Sequence, residues 1–537
     1  MRRLLPLILL IFSSLLSHSQ PKIEWAVSYA NTDFNHFTKD MVIDKEGNLY
    51  LTGTLSVDST DSDFITLKYN SEGILQWSQR YNGPQGGEDI VTALKVDHLG
   101  NVLVTGTSQD TTFPAKRYSA TIKYNSNGDS LWVRRYLHSD STWFTAKGMV
   151  IDTAGSIYIL GHIYTFAQNN NIILTKYDPQ GDIEWQNELD RIQGIDVPIE
   201  IKLDKENNIA TYNSTAIGGI LIKYNHQGDS ISGLFITPTA INFMQFDKFN
   251  NTYLGGSYVG ATTSVDYYSA KYDSSGNLLW ERTYHHPSQN NQDQLRATFL
   301  DDSSNFYITG VSAQTGLLGW DYLTIKYSSY GDSLWVNRFA EIPRSNDESV
   351  SVVADKKGNV FVTGKSDRFI LINRISTAVY DPSGEHLHTL HYDTNYFFTP
   401  YEPVKMEIDS AGSIYIAGIS RNSFGKIDMI ALKYSPVVSS IQNTSGEIPS
   451  TFQLSQNYPN PFNNQTKIKF SIPQKGTVKL VLFSILGKQV TYVVNNILSP
   501  GMYDVVFESK NLSSGIYYYT LFIEGNLLST KKMVIVK

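Results

Sequence analysis

The chain has 537 residues, 41% of them hydrophobic, with 34 Tyr, 38 Gly and a formal net charge of -7. Several domains or one large repeat array fit that length, a mean hydropathy of -0.24 suits a soluble protein, and a pI near 5.9 argues against a nucleic-acid partner, which needs a basic face. With no cysteine there are no disulfides, thiolate metal sites, cysteine nucleophile or lipid-modified N-terminal Cys.

The first element is a processing signal. Arg2 and Arg3 form a basic start, Leu4 to Leu16 an apolar run, and Ser17, His18 and Ser19 a small-residue cleavage site before Gln20. A membrane anchor is the alternative, but the run is shorter than the roughly 20 residues a bilayer needs. No later stretch is longer, so the mature chain is expected to have no transmembrane segment and to be exported.

A turn signal then recurs eight times, opening at Asp44, Asp97, Asp152, Asp204, Asp247, Asp301, Asp355 and Asp409. The intervals are 53, 55, 52, 43, 54, 54 and 54 residues, so only the fourth repeat is short. Its fourth position is Gly47, Gly100, Gly155, Asn207, Asn250, Ser304, Gly358 and Gly412. Gly, with Asn in its place, predicts a residue at positive φ, as in a type I turn closed by a bulge. Ser304 predicts a locally different turn.

A second signal reads Lys-Tyr-Asn/Asp-x-x-Gly-x-x-x-Trp. It runs from Lys68 to Trp77, Lys123 to Trp132, Lys176 to Trp185, Lys271 to Trp280 and Lys326 to Trp335. Degenerate copies have Ser232 and His388 in place of Trp. An eighth copy starts at Lys433 and Tyr434 and stops, while its missing Trp strand stands at the other end of the chain, from Ile23 to Tyr29.

Each repeat holds four strand candidates, in the second about Ile90 to Val96, Val102 to Thr107, Ser119 to Tyr124 and Ser130 to Tyr136. The fold class predicted is therefore all-β. Eight four-stranded sheets make an eight-bladed β-propeller over 20–434, and the Trp25 strand completes the last blade and hides its edge. An open solenoid is the alternative. The hallmark Asp-x-x-Gly-Asn-x-Tyr-Val-Thr-Gly, matched best at Asp44 to Gly53, Asp301 to Gly310 and Asp355 to Gly364, resembles the bacterial SBBP propeller repeats. That resemblance covers roughly Trp25 to Tyr434 and implies a propeller without a particular activity.

Strand order puts both tight turns of every blade on one face and the longer connections on the other, where binding residues concentrate. Candidate ligand-binding residues on that loop face are Trp143, Phe144, Tyr164, Trp320, Tyr322 and Phe397, with Phe34, Phe37, Phe113, Phe166, Tyr396 and Phe398 nearby. Rings beside Asn, Ser and Asp suit stacking on sugars or gripping peptides, and packing between blades is the alternative for each.

From 435 to 450 the composition becomes that of a linker. Strand candidates follow at Lys467 to Ile472, Val478 to Phe483, Gln489 to Val494, Met502 to Phe507, Ile516 to Ile523 and Leu527 to Val536, a small β-sandwich over 451–537. Asn457, Tyr458, Pro459, Asn460, Pro461, Phe462 and Asn463 open it; Gly487, Gly501, Gly515, Lys531 and Lys532 follow in order. This series resembles the C-terminal sorting domain of the type IX secretion system. It implies passage through the periplasm, recognition by the outer-membrane machinery as partner, and secretion or attachment at the cell surface. An ordinary adhesive sandwich is the alternative.

For chemistry, the box aspartates invite structural calcium, but each box offers one assured carboxylate and an Asp opening a turn caps its own amides. No cofactor is otherwise expected. The Trp signal resembles the tryptophan-docking motif of eight-bladed quinoprotein dehydrogenases, whose blade-packing role transfers while the quinone chemistry does not. His386 and His388 share a strand face in a way that suits a metal pair, and His285 with His286 reads as solvated. No catalytic triad, phosphate loop or His-Glu-x-x-His is present. The expectation is thus a non-enzymatic glycan- or protein-binding module. Its alternative is a polysaccharide hydrolase or lyase, which requires carboxylates of perturbed pKa near the channel mouth.

Overall fold

The computed structural model describes residues 18–536 except 20, 31–32, 57–60, 85, 113–114, 139–140, 166–169, 190–196, 216–217, 237–238, 260–264, 286–292, 314–318, 343–344, 370–371, 394–400, 437, 440, 446–448, 499 and 510–511. The leader to Ser17, Gln20 and Phe397 therefore lie outside the described residues. The chain divides into two compact units, 22–436 and 437–537, the second taking in the N-terminal segment.

The larger unit is all-β. Blade 1 runs from Asn35–Ile43 to Leu75–Tyr81, blade 2 from Asp89–Val96 to Ser130–Tyr136, blade 3 from Ser141–Ile151 to Ile183–Leu189, and blade 4 from Val197–Leu203 to Ser230–Ile236. Blade 5 runs from Thr239–Phe246 to Leu278–Tyr284, blade 6 from Asp293–Leu300 to Ser333–Phe339, and blade 7 from Asp347–Ala354 to His386–Tyr392. Within each, four antiparallel strands, a to d, pair in chain order. Blade 8 takes a, b and c from Tyr401–Ile408, Ile414–Arg421 and Ile427–Tyr434, and its strand d is Ile23–Tyr29. Trp25 pairs with Lys433 there, in the register by which Trp77 pairs with Lys68 in blade 1. The ring closes where Lys405 Nζ reaches Asp40 Oδ1 at 2.8 Å and Thr38 Oγ1 reaches the Gly418 carbonyl at 2.6 Å. Met41 and Leu51 of blade 1 share one core with Tyr415 and Met429 of blade 8.

The a–b turns show why the first signal repeats. Asp44 Oδ1 accepts the amides of Glu46 and Asn48 at 3.0 and 2.8 Å, while Oδ2 accepts the Asn48 side-chain amide at 2.8 Å. Asp301 makes the same three bonds. Ser304 does not turn differently: it holds φ 64°, beside 62° for Asn207 and 61° for Asn250. The clamp at Asp301 and Asn305 fixes the turn and offsets the roughly 1 kcal/mol that a left-handed non-Gly residue costs.

The second signal joins blades. Trp77 Nε1 and Lys68 Nζ both donate to the Ser126 carbonyl of blade 2, at 3.1 and 3.0 Å. Trp132 and Lys123 converge in the same way on Pro179, Trp185 and Lys176 on His226, Trp280 and Lys271 on Ser329, and Trp335 and Lys326 on Pro382. The signal glycine lies under each indole. A Cβ on Gly128, at φ +91°, would stand 2.8 Å from the Trp77 ring, so the left-handed turn and the flat ring demand glycine together.

The smaller unit is a sandwich of two four-stranded sheets around Ile468, Leu480, Leu482, Val505 and Leu521. The stretch expected to be a linker is partly strand: Ile441–Ser445 pairs with Gly501–Glu508 and extends the sheet, and Val438–Ser439 pairs with His18–Ser19. Backbone pairing to an exposed edge needs no apolar signal, which is why composition did not reveal it.

Candidate functional site

Blade 3 has the longest inner hairpin in the ring, Ser141–Ile151 with Ile157–Thr165. Trp143 and Tyr164 are cross-strand partners at its loop-face end, 47% and 40% exposed, with ring centroids 6.2 Å apart. Arg117 of blade 2 lays its guanidinium over the Trp143 ring at 4.9 Å. Its Nε donates to Gln109 Oε1 at 2.7 Å and its Nη2 to Glu88 Oε2 at 3.3 Å, which holds the group flat. Exposed rings backed by a fixed guanidinium offer stacking faces with polar edges.

The other expected loop residues divide. Phe144 is 1% exposed and packs against Tyr136, with its ring over Gly161, because neighbours along a strand face opposite ways. Tyr322 is also 1% exposed; its hydroxyl donates to the Ser376 carbonyl and would lie 2.6 Å from a Cβ on Gly364 of blade 7. Both are packing residues and leave the candidate site. Trp320 opens its strand half-buried and pairs with Ala313. Phe37 is exposed and Phe34 half-buried, while Phe113, Phe166, Tyr396 and Phe398 lie outside the described residues.

Perturbed carboxylates are present both in the seams between blades and on strand a, where burial raises Glu200. Burial pushes Asp89 up to about 6, against hydrogen bonds from Ser108 and the Gly83 amide, with Asp63 across the seam adding to the rise. Burial likewise pushes Asp347 up to about 6, opposed by Ser345 and Ser366 and helped by Asp321. All four are buried, and Arg80 and Arg338 pair with Asp63 and Asp321. No solvent-facing acid-base pair results from them.

Strand a lines the axis with charge. Lys405 joins Asp40 and Glu407, each at 2.8 Å, and Lys202 lies 3.3 Å from Glu200. Burial raises Asp40, but Lys405 and Lys95 outweigh it and hold the carboxyl below its ordinary range. Among the described residues, no group of three or more His, Asp or Glu is arranged to hold a metal ion. His386 Nε2 lies 2.9 Å from Thr389 Oγ1, and His391 Nδ1 lies 3.2 Å from Ser376 Oγ.

Clefts that the sequence did not signal open along the tight-turn face. One of about 560 Å³ lies between blades 1 and 2, around Lys45, Tyr50, Lys68 and His98. Another of about 460 Å³ lies between blades 5 and 6, around Phe249, Trp280 and Tyr330. The repeat pattern made this face look uniform, although turn residues such as Phe249 and Tyr330 vary freely and are exposed.

In the smaller unit the sorting motif is a staple. Asn457 is buried, donates its amide to Tyr519 Oη at 2.7 Å and its Nδ2 to Thr466 Oγ1 at 2.9 Å. Asn460 Oδ1 accepts the Val534 amide at 2.8 Å, and Phe462 exchanges backbone bonds with Val534 and Val536 while its ring enters the core. The Tyr458–Pro459 and Asn460–Pro461 peptides are cis. Tyr458 and Lys532 face solvent, Lys531 is half-buried, Asn463 is exposed, and Gly487 supplies φ +77° to a hairpin turn. Gly501 and Gly515 each begin a strand.

Among solved structures, the WD40 domain of SCAP from fission yeast is similar to this chain at 8% identity, covering 78% of this chain and 98% of that one, with a TM-score of 0.44. A Dyadobacter fermentans protein of unknown function matches at 10% identity over 78% and 99%, with a TM-score of 0.38. Porphyromonas gingivalis dipeptidyl peptidase 4 matches at 10% over 72% and 57%, with a TM-score of 0.41. No curated protein matches the chain in sequence, and no helix among the described residues is long and apolar enough to cross a membrane. Residues 456–537 match one protein-family model, and the chain accordingly ends in a secretion system C-terminal sorting domain.

Proposed function

We propose that this protein is a secreted or cell-surface binding module, exported by the type IX machinery through its C-terminal domain, whose propeller holds a glycan or protein ligand. The observation that carries the reading is the exposed pair of Trp143 and Tyr164 backed by Arg117. Stacking on an indole face with a cation alongside suits the apolar face and hydroxyl rim of a sugar, so a glycan is the first class to test. The leader ending at Ser19, the SBBP resemblance of the blades and passage through the periplasm belong to the same reading.

The purified mature chain is screened on glycan and protein arrays. A ligand bound through this platform loses at least about tenfold in affinity with Trp143→Ala or Tyr164→Ala, while Trp320→Ala leaves it unchanged. Unchanged binding in both platform variants refutes the site. Export is tested by removing residues 456–537, which leaves the propeller inside the cell envelope if the domain is its address.

A further inference from the structure

The tryptophan belt lacks its indole at two seams: His388 stands at the position in blade 7, and the gap between blades 4 and 5 carries only Ser232. Six indoles dock in the propeller: Trp25, Trp77, Trp132, Trp185, Trp280 and Trp335 each donate Nε1 to a turn carbonyl of the following blade. In all six, a Cβ on the turn glycine would come within 2.6–3.0 Å of the ring. Blade 4 places Ser232 at the tryptophan position, paired with Lys223 as Trp77 is paired with Lys68. The receiving turn of blade 5 keeps its form, with Gly276 at φ +88°, but a Cβ there would meet nothing within 4 Å.

A cleft of about 80 Å³ fills that place, lined by Ser232, Leu234, Thr252, Tyr272, Ser274 and Gly276 among others. Its parts are those that hold indoles elsewhere. Tyr272 corresponds to Tyr124, Tyr327 and Tyr380, whose rings lie 6.1, 5.9 and 5.8 Å from Trp77, Trp280 and Trp335. The Ser274 carbonyl corresponds to that of Ser126, which accepts both Trp77 Nε1 and Lys68 Nζ. Lys223 keeps the ion pair with its box aspartate, Asp204 at 3.6 Å, as Lys271 does with Asp247, and lies over the Phe246 ring at 4.8 Å. Thr252 stands where the other blades carry Leu49, Val102, Ile157, Ile209, Phe306, Val360 and Ile414, so the floor of this socket alone gains a hydroxyl.

We infer that the seam between blades 4 and 5 is a binding site for the indole ring of a small ligand. The ring enters over Gly276, lies against Tyr272 and donates its N–H to the Ser274 carbonyl. This site is independent of the blade 3 platform.

The test measures binding of indole, and of indene as the same bicycle without the N–H, to the full mature chain by ligand-observed NMR. The wild type binds indole saturably and at least about tenfold more tightly than indene, since the carbonyl contact is lost with the N–H. Ser232→Trp supplies the ring from within. It abolishes indole binding and raises Tm by about 2–4 °C, which also shows that the variant is folded. A second variant, Leu234→Arg, supplies the side chain that Arg134 and Arg282 place beside docked indoles in blades 2 and 5, and it retains or tightens indole binding; loss of binding there would count against the socket. Absence of saturable binding, equal binding of indole and indene, or full binding by Ser232→Trp overturns the assignment.

Discussion

Trp25 Nε1 donates to the Ser71 carbonyl at 3.0 Å, and this one bond ties the strand that completes blade 8 to a turn of blade 1. Lys433 Nζ reaches the same carbonyl at 3.4 Å, so both partners of the final blade grip the first. Ring closure therefore uses the device found at five other seams of the ring. Trp25→Ala is expected to cost about 2–4 kcal/mol, as for other truncations of packed aromatics, and to lower the denaturant midpoint of the propeller. A loss under about 0.5 kcal/mol would place closure elsewhere, in the Lys405 and Asp40 contact.

Two glycines separate backbone strain from docking. Gly128→Ala and Gly276→Ala both force a Cβ into the left-handed region, at about 1 kcal/mol each. Only Gly128→Ala also meets an indole, 2.8 Å away. The Gly128 variant should be the less stable by a further 1–2 kcal/mol or so, measured by urea unfolding. Equal losses would mean that the ring moves aside freely.

The seam aspartates give a pH signature. Asp89 and Asp347 rise from the ordinary 3.8 to about 6 in the folded protein, chiefly through burial. The folded state then binds these protons more tightly than the unfolded one. Their contribution is fully present below pH 3.8 and is lost as pH rises through about 6. Asp89→Asn and Asp347→Asn should therefore gain on the wild type between pH 4.5 and 7.5, by up to about 3 kcal/mol each. Buried His36 and half-buried His162, both lowered by burial, act oppositely in part of that window, so the comparison with the Asn variants isolates the carboxylates. A difference independent of pH would refute it.

The box carboxylates are expected to cap rather than to bind calcium. Asp301 Oδ1 takes two backbone amides, and Oδ2 takes the Asn305 amide and the Tyr307 hydroxyl. Asp301→Ala should cost about 1–2 kcal/mol. Treatment with a chelator should leave Tm within about 1 °C; a larger fall, restored by added calcium, would revive a structural metal.

In the sorting domain, neighbouring residues should behave oppositely. Asn457→Ala keeps the backbone bond to Tyr519 Oη but removes the Nδ2 donor to Thr466 Oγ1 and the Pro459 carbonyl, and should cost about 1–2 kcal/mol, seen as faster amide exchange along Asn526–Ile535. Tyr458 is exposed, and Tyr458→Ala should leave exchange unchanged. Impaired export of a stably folded Tyr458→Ala protein would mark that ring as part of the surface the secretion machinery reads.

Much of the architecture is legible in the order of residues. Turn chemistry is local: Asp, Gly and Asn at fixed offsets fix a hairpin whatever surrounds it, so eight boxes announced eight blades. The stray Trp25 strand and the unfinished copy at Lys433 announced closure because an unpaired strand edge must be covered. The edge strand Ile441–Ser445 was not legible, since its pairing is carried by backbone.

The site was legible only in part, for a physical reason. Alternation along a strand shows that Trp143 and Phe144 face opposite ways, but it does not show which face the next blade covers. That depends on the packing of one sheet against another, which buried Phe144 and Tyr322, left Trp143 and Tyr164 in solvent, and laid Arg117 from a different blade over the indole. In the same way the sequence by itself determined that Ser232 breaks the tryptophan series, whereas only the tertiary structure decided that the gap remains open, because the turn at Gly276 keeps the shape its neighbours use to hold a ring.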